Sequence, residues 1–286
     1  VGHAIGQSAF EFYDDPIQIP SADSYFPNGG VSRAIKRLLR KPRTTLPAWF
    51  LVSKVDELNK VLPQAVKRGG YYCFKLKITG KDNEGDANRT IEVFHVARSL
   101  GIDNPRITID SNEANPDADS VTEYLDLLEQ GDRRAFEALE YLEQPTGRNI
   151  ELHSYDWHRI TSRKPVLLDE GLTDLTSLEI ALSQGWSGFA LKTCKGHSML
   201  MTSAAWGHEH NMLLSLQDLT NPGVSLIHAA LVGAYLPTVN GAELNSPQFT
   251  PDANLEFLPR LSSLFEPTGG NHTITNTAPL GLGSSL

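Results

Sequence analysis

From about Pro47 the chain alternates short apolar runs with longer amphipathic stretches. That alternation restricts it to parallel strands joined by crossover helices, an α/β fold. The runs 48–52, 71–78, 106–110, 138–144, 165–169, 188–192, 212–216 and 241–244 read as eight strands. Between them, apolar residues recur three and four apart, as in Val55-Leu58-Val61-Leu62-Val66, Ile91-Val93-Phe94-Val96-Ala97-Leu100, Val121-Leu125-Leu127-Leu128, Leu175-Leu178-Ile180-Ala181-Leu182 and Val224-Ile227-His228-Leu231-Val232. Eight units of about 25 residues each suit a closed (β/α)8 barrel, which typically takes roughly 250 residues, and the chain has 286. An open, doubly wound sheet that binds dinucleotides would carry Gly-x-Gly-x-x-Gly after a strand, and none is present.

Two flanks fall outside this pattern. Residues 1–46 hold a Pro- and Gly-rich middle (Pro16, Pro20, Pro27, Gly29, Gly30) and a basic run over 33–43, read as the solvated face of a short helix at 31–40. The tail beyond Asn245 is rich in Pro, Gly, Asn and Thr and is expected to wrap over the barrel with a helical turn at 255–264. With 34 acidic against 25 basic residues, the chain carries a formal charge of −9 and would repel a phosphate backbone, so nucleic acid is not an expected partner. No apolar run approaches the roughly 20 residues of a membrane span. Cys73 and Cys194 are too few for a disulfide framework or a structural zinc site and read as buried free thiols. With no secretory pattern at the start, a cytoplasmic location is expected.

Side chains at the C-terminal ends of barrel strands share one mouth, so the last residues of each strand carry the chemistry. The third strand ends at Asp110, the fourth at Glu143 and the fifth at Asp169-Glu170. Three carboxylates at one height, with no His or Cys beside them, suit a hard divalent ion such as Mg²⁺. In the second strand, Lys75 and Lys77 share one face while Phe74, Leu76 and Ile78 share the other. The apolar trio suits the helix layer, which turns the amines inward. An unpaired amine there, close to another ammonium and a metal ion, is pushed toward its neutral form and becomes a general base. The sixth strand ends in Lys192, on the opposite side of a barrel from Lys77. Gln217 and Asp218 after the seventh strand, with Glu243 and Asn245 at the eighth, are expected to line the mouth and contact substrate.

These motifs, Lys-x-Lys, Asp110-x-Asn112, Glu143-Gln144-Pro145, Asp169-Glu170 and Lys192, occur in barrel order and resemble the enolase superfamily, in particular its muconate lactonizing branch. The mandelate racemase branch would need a His after the seventh strand, whereas His208 and His210 precede it. The resemblance implies Mg²⁺, with Mn²⁺ as an alternative, held by Asp110, Glu143 and Asp169. It also implies Lys77 and Lys192 as acid/base partners, Lys75 as an assisting cation, and Asn112 and Glu170 near the substrate. The first thirteen residues, VGHAIGQSAFEFY, resemble only the end of the family's N-terminal capping domain. The expected layout is a cap remnant and linker over 1–46, a barrel over 47–245 and a tail over 246–286.

The expected activity is removal of the proton α to the carboxylate of a small substrate through an enediolate, giving cycloisomerisation, epimerisation or dehydration. The alternatives are an inactive barrel without its lid and a Schiff-base aldolase using Lys192. Apolar residues of the tail, Phe249, Leu255, Phe257, Leu258 and Phe265, would share the surface on which a capping domain packs, which leads to an expectation of a homo-oligomer.

Overall fold

The computed structural model describes residues 2–14, 18–239 and 241–283; Val1, Pro16 and the last residues of the tail fall outside them. Its strands are β1 Thr45–Pro47, β2 Trp49–Val52, β3 Cys73–Lys77, β4 Arg106–Asp110, β5 Leu139–Glu143, β6 Val166–Leu168, β7 Gly188–Lys192, β8 Leu213–Gln217 and β9 Asn271–Thr273. The chain divides into two compact units, residues 49–188 and residues 1–48 with 189–286.

In the unit 49–188, β2 to β6 pair in parallel and in chain order. Parallel neighbours require a crossover, and the amphipathic stretches supply it as the helices Leu58–Gly69, Asn83–Ser99 and Ala118–Gly131. Two of these begin on side-chain caps. Asp82 accepts the Gly85 N–H at 3.0 Å and Asp117 accepts the Ser120 N–H at 2.8 Å. The inner faces of the same two helices meet where Thr90 and Tyr124, both buried, join their hydroxyls at 2.9 Å. Cys73, Phe74, Lys75 and Leu76 of β3 are all buried, as expected of a parallel strand covered on both faces. Register then sets the heights of the side chains. Lys75 lies opposite Thr108 and Thr108 opposite Tyr141, while one layer nearer the strand ends Lys77 lies opposite Asp110 and Asp110 opposite Glu143.

In the other unit, β1 and β9 form an antiparallel ribbon, with Leu46 opposite His272. The eighth strand expected at 241–244 is reduced to single parallel bridges, Gln217 to Glu243 and Ala48 to Ala242. Gly241 explains why it starts no earlier. Its backbone, at φ 91°, passes so near Pro47 that a β-carbon would lie 2.3 Å from the Pro47 carbonyl oxygen. The pairing that remains is well made, since Ala242 N–H donates to Pro47 O at 3.1 Å and Glu243 N–H to Leu216 O at 2.9 Å.

The helix His197–Glu209 had no periodic signature in the sequence. Leu200, Met201, Ser203, Ala204, Ala205, Trp206 and Gly207 are all buried, and small residues closing most of its circumference leave no polar face to mark a period. The basic run forms the helix Gly30–Leu38 with Arg33, Lys36 and Arg37 exposed, as the reading of a solvated face requires. The tail helix is Leu258–Phe265, shifted from the expected turn. Phe249 and Leu255 are exposed, but Phe265 is buried and leaves the expected apolar surface. Cys73 is a buried thiol, whereas Cys194 is exposed, because it lies on the single turn Thr193–Lys195 beyond the end of β7. Among the described residues no helix is long and apolar enough to cross a membrane.

His272 links this fold to pH. It is fully enclosed, its Nδ1 lies 2.7 Å from the Leu264 carbonyl, its Nε2 has no hydrogen-bond partner, and burial pushes its pKa down to about 4. Between its usual value of 6.5 and about 4 the unfolded chain binds the extra proton, so stability falls as pH falls through that window. One such group contributes a slope of up to about 1.4 kcal/mol per pH unit. Urea unfolding of His272→Phe from pH 7 to pH 4 should show a shallower acid-side slope than the parent, and an unchanged slope would refute this assignment.

Candidate active site

The ends of β3 to β6 carry the charged residues singled out in the sequence. Lys75, although a layer below, reaches upward, and its Nζ lies 2.7 Å from Glu143 Oε1 and 3.3 Å from Asp110 Oδ2. All three side chains are almost completely buried. Lys77 forms an ion pair with Asp110 and donates to Asn112 Oδ1 at 3.0 Å, and at 22% its side chain is the most accessible of the group. Asn112 turns back on the same carboxylate through its N–H, 2.8 Å from Asp110 Oδ1, and reaches Glu170 Oε1 at 3.4 Å.

Burial alone would raise the pKa of Asp110. The Lys75 and Lys77 charges, with hydrogen bonds from Lys77 and the Asn112 N–H, outweigh it and hold the carboxyl well below the usual carboxylate range. Both lysines do face the interior as strand alternation requires, but neither is isolated. The premise of an unpaired amine is therefore corrected: the nearest partners of both are carboxylates.

Asp169 lies just beyond β6 and is buried. Asp110, Glu143 and Asp169 thus close three consecutive strands with hard oxygen donors, the type that Mg²⁺ takes. Among the described residues no three His, Cys, Asp or Glu side chains are gathered tightly enough to hold a metal ion, and Lys75 lies between two of these carboxylates. The donor chemistry fits the ion, but the expectation of three carboxylates at one height is corrected: Asp110 lies opposite Glu143, Glu143 lies opposite Leu167, and Asp169 follows two residues later, so the side-chain positions do not form a closed ligand cage.

Asn112 (φ 47°), Glu113 (φ 67°) and Gln144 (φ 34°) follow β4 and β5; in the other unit Asn211 (φ 57°) precedes β8 and Thr220 (φ 60°) follows it. Non-glycine residues in this region are costly and cluster at functional sites. Glu113, tied to Arg148, and the side chain of Gln144 were not singled out as site residues in the sequence. A charged residue after Asp110-Ser111-Asn112 and an amide beside Glu143 carry no periodic signal.

In the other unit, Lys192 ends β7 and is buried. Gln217, Asp218, Glu243 and Asn245 come together at the end of β8, all buried. Asp218 accepts N–H groups from Thr220 at 2.9 Å and Asn245 at 3.1 Å, and Asn245 Nδ2 donates to Glu243 Oε1 at 2.7 Å. His208 and His210 lie before β8, away from its C-terminal end.

The profile of the family described as enolase C-terminal domain-like matches residues 57–281. The chain belongs to that family. Its α/β fold class, the parallel barrel type read from the sequence, stands with the family's solved structures. A muconate lactonizing enzyme from Klebsiella pneumoniae shares 19% identity over 98% of this chain and 68% of its own, with TM-score 0.62. The muconate lactonizing enzyme from Pseudomonas fluorescens complexed with muconolactone shares 22% over 100% and 66%, with TM-score 0.68. A dipeptide epimerase from Enterococcus faecalis V583, complexed with Mg and L-Leu-L-Tyr, shares 18% over 74% and 58%, with TM-score 0.59. This enolase-family chain therefore spans between about three fifths and two thirds of these relatives' length. No curated protein sequence matches it.

Asp218 offers a direct check on the electrostatics at the end of β8. Burial raises its pKa, backbone N–H groups lower it and the Glu243 charge raises it again, leaving it at about 6. A carboxyl pushed up in this way stays protonated in the fold through the usual carboxylate range while the unfolded chain ionises, so stability is lost as pH rises from 3.8 to about 6. Asp218→Asn should stabilise the protein at pH 8 by about 1–3 kcal/mol and lose that gain near pH 4. Equal stability of the variant and parent at both pH values would contradict the assignment.

Proposed function

We propose that this enolase-superfamily chain removes the proton α to the carboxylate of a small substrate, in a reaction that depends on Mg²⁺. The observation that carries the proposal is the layer Lys77, Asp110 and Glu143, adjacent in register at the ends of three neighbouring strands, with Lys75 buried against both acids. The relatives support the reading, since they include muconate lactonizing enzymes, dipeptide epimerases in complex with Mg and a dipeptide, and an N-succinyl Arg/Lys racemase.

Asp110, Glu143 and Asp169 are the residues that would hold the ion, their oxygens being hard and, at Asp110, ionised across the working pH range. A bound Mg²⁺ supplies Lewis-acid stabilisation of the negative charge that builds on the substrate carboxylate. Lys75, buried and cationic, adds a fixed positive charge beside that carboxylate without having to reorganise. Lys77, the most accessible amine, takes or returns the proton at the α-carbon, acting as base when unprotonated. Lys192 is assigned the complementary acid/base role. If both lysines act on one carbon the outcome is epimerisation; if one acts, elimination or cycloisomerisation follows. Asn112, Glu170, Gln217, Asp218, Glu243 and Asn245 are assigned to substrate contact. We also infer self-association through exposed Leu219, Val224, Phe249 and Leu255.

Deuterium wash-in over a set of carboxylates bearing an α-proton tests the chemistry whatever the product, because exchange reports proton abstraction itself. The parent protein should exchange in Mg²⁺ and stop on chelation, and Lys77→Met or Lys192→Met should slow exchange by about 10²–10⁴-fold. No exchange across the set would favour an inactive barrel, and borohydride trapping of a carbonyl substrate on Lys192 would favour the aldolase.

A further inference from the structure

Asp169 presents a problem of positioning. The backbone pairing of β5 with β6 runs through Leu142 to Val166 and Glu143 to Leu167, and β6 ends at Leu168. Asp169 therefore lies past the end of its strand. Its N–H is bound by a side chain. Gln144 Oε1 accepts from Asp169 N–H at 2.9 Å and from Gly171 N–H at 3.0 Å, while Gln144 Nε2 donates to Thr146 O at 2.9 Å.

The main chain of the same residue extends the arrangement on both sides. Gln144 N–H donates to Leu167 O at 3.0 Å, and Gln144 O accepts from Glu113 N–H at 2.9 Å. One residue thus ties together the segments that follow β4, β5 and β6; Asp110 and Glu143 end the first two strands and Asp169 lies in the third segment. Gln144 is completely buried and holds φ 34°, a conformation that glycine adopts more readily than any residue with a β-carbon. Both ends of its side-chain amide are engaged.

We infer that Gln144 is a positioning residue that fixes the backbone of Asp169, one of the three carboxylates assigned above to the proposed ion. It touches neither substrate nor reacting atoms and acts through the Asp169 backbone. The inference rests on the proposed Mg²⁺ site. Groups that orient metal ligands typically contribute about 10–100-fold in metal affinity.

The test uses the full chain and compares Gln144→Met, which keeps the volume but not the amide, with Gln144→Glu, which keeps an acceptor for the two N–H groups and loses the donor to Thr146. Val93→Ala, a core change in the helix Asn83–Ser99, serves as a control for lost stability. Hydrogen exchange read at the Asp169 and Gly171 amides should accelerate about tenfold or more in Gln144→Met and recover in Gln144→Glu. Mg²⁺ titration by calorimetry should show affinity lower by about 10–100-fold in Gln144→Met and unchanged in Val93→Ala. Unchanged amide protection in Gln144→Met, or an equal loss of affinity in Val93→Ala, would overturn the inference. A parent protein that binds no Mg²⁺ at millimolar concentration would overturn the metal reading itself, and amide protection alone would then decide whether Gln144 fixes the Asp169 backbone.

Discussion

The ammonium of Lys75 is the constraint from which the mouth is built. A lysine on the inner face of a parallel strand has no water to solvate it, and an uncompensated charge there would cost several kcal/mol. Glu143 and Asp110 supply that compensation from the next two strands. They can do so only because parallel register sets Asp110 opposite Glu143 one layer above the lysine, within reach of its four-carbon stem. The crossover helices, their Asp82 and Asp117 caps and the buried Thr90–Tyr124 contact hold the strands in that register. Fold and electrostatics are therefore one problem in this unit, since a slip of one residue would turn the amines toward the helices and strand the acids.

The mouth is also where the protein departs from comfortable geometry. Asn112, Glu113 and Gln144 adopt left-handed conformations there. None of these helps folding. Left-handed residues that carry a β-carbon are costly and cluster at functional sites.

Much of this was legible in the sequence because it depends on period. The two-residue repeat set Lys75 and Lys77 on one face, and the strand-end rule picked out Asp110, Glu143, Asp169 and Lys192. Seven of the eight strands appear close to their expected positions. What was missed depends on contacts between distant residues. The approach of Gly241 to Pro47 trims the eighth strand, the closely covered helix His197–Glu209 has no polar face to betray it, and Cys194 lies exposed because the strand stops two residues earlier. The ion pairs that keep both lysines company, and the bond from Gln144 to the Asp169 backbone, join residues 25 or more positions apart and leave no trace in any local window.

The most direct test of this account is a double-mutant cycle between Lys75 and Glu143, read as unfolding free energy at pH 7 with Lys75→Met, Glu143→Gln and the pair. If the buried charges stabilise one another as described, each single variant leaves its partner buried without its counter-charge, and the double variant is less destabilised than the sum by about 2 kcal/mol or more. Effects that add within about 0.5 kcal/mol would show the two residues to be energetically independent, and would contradict the claim that this pair organises the mouth.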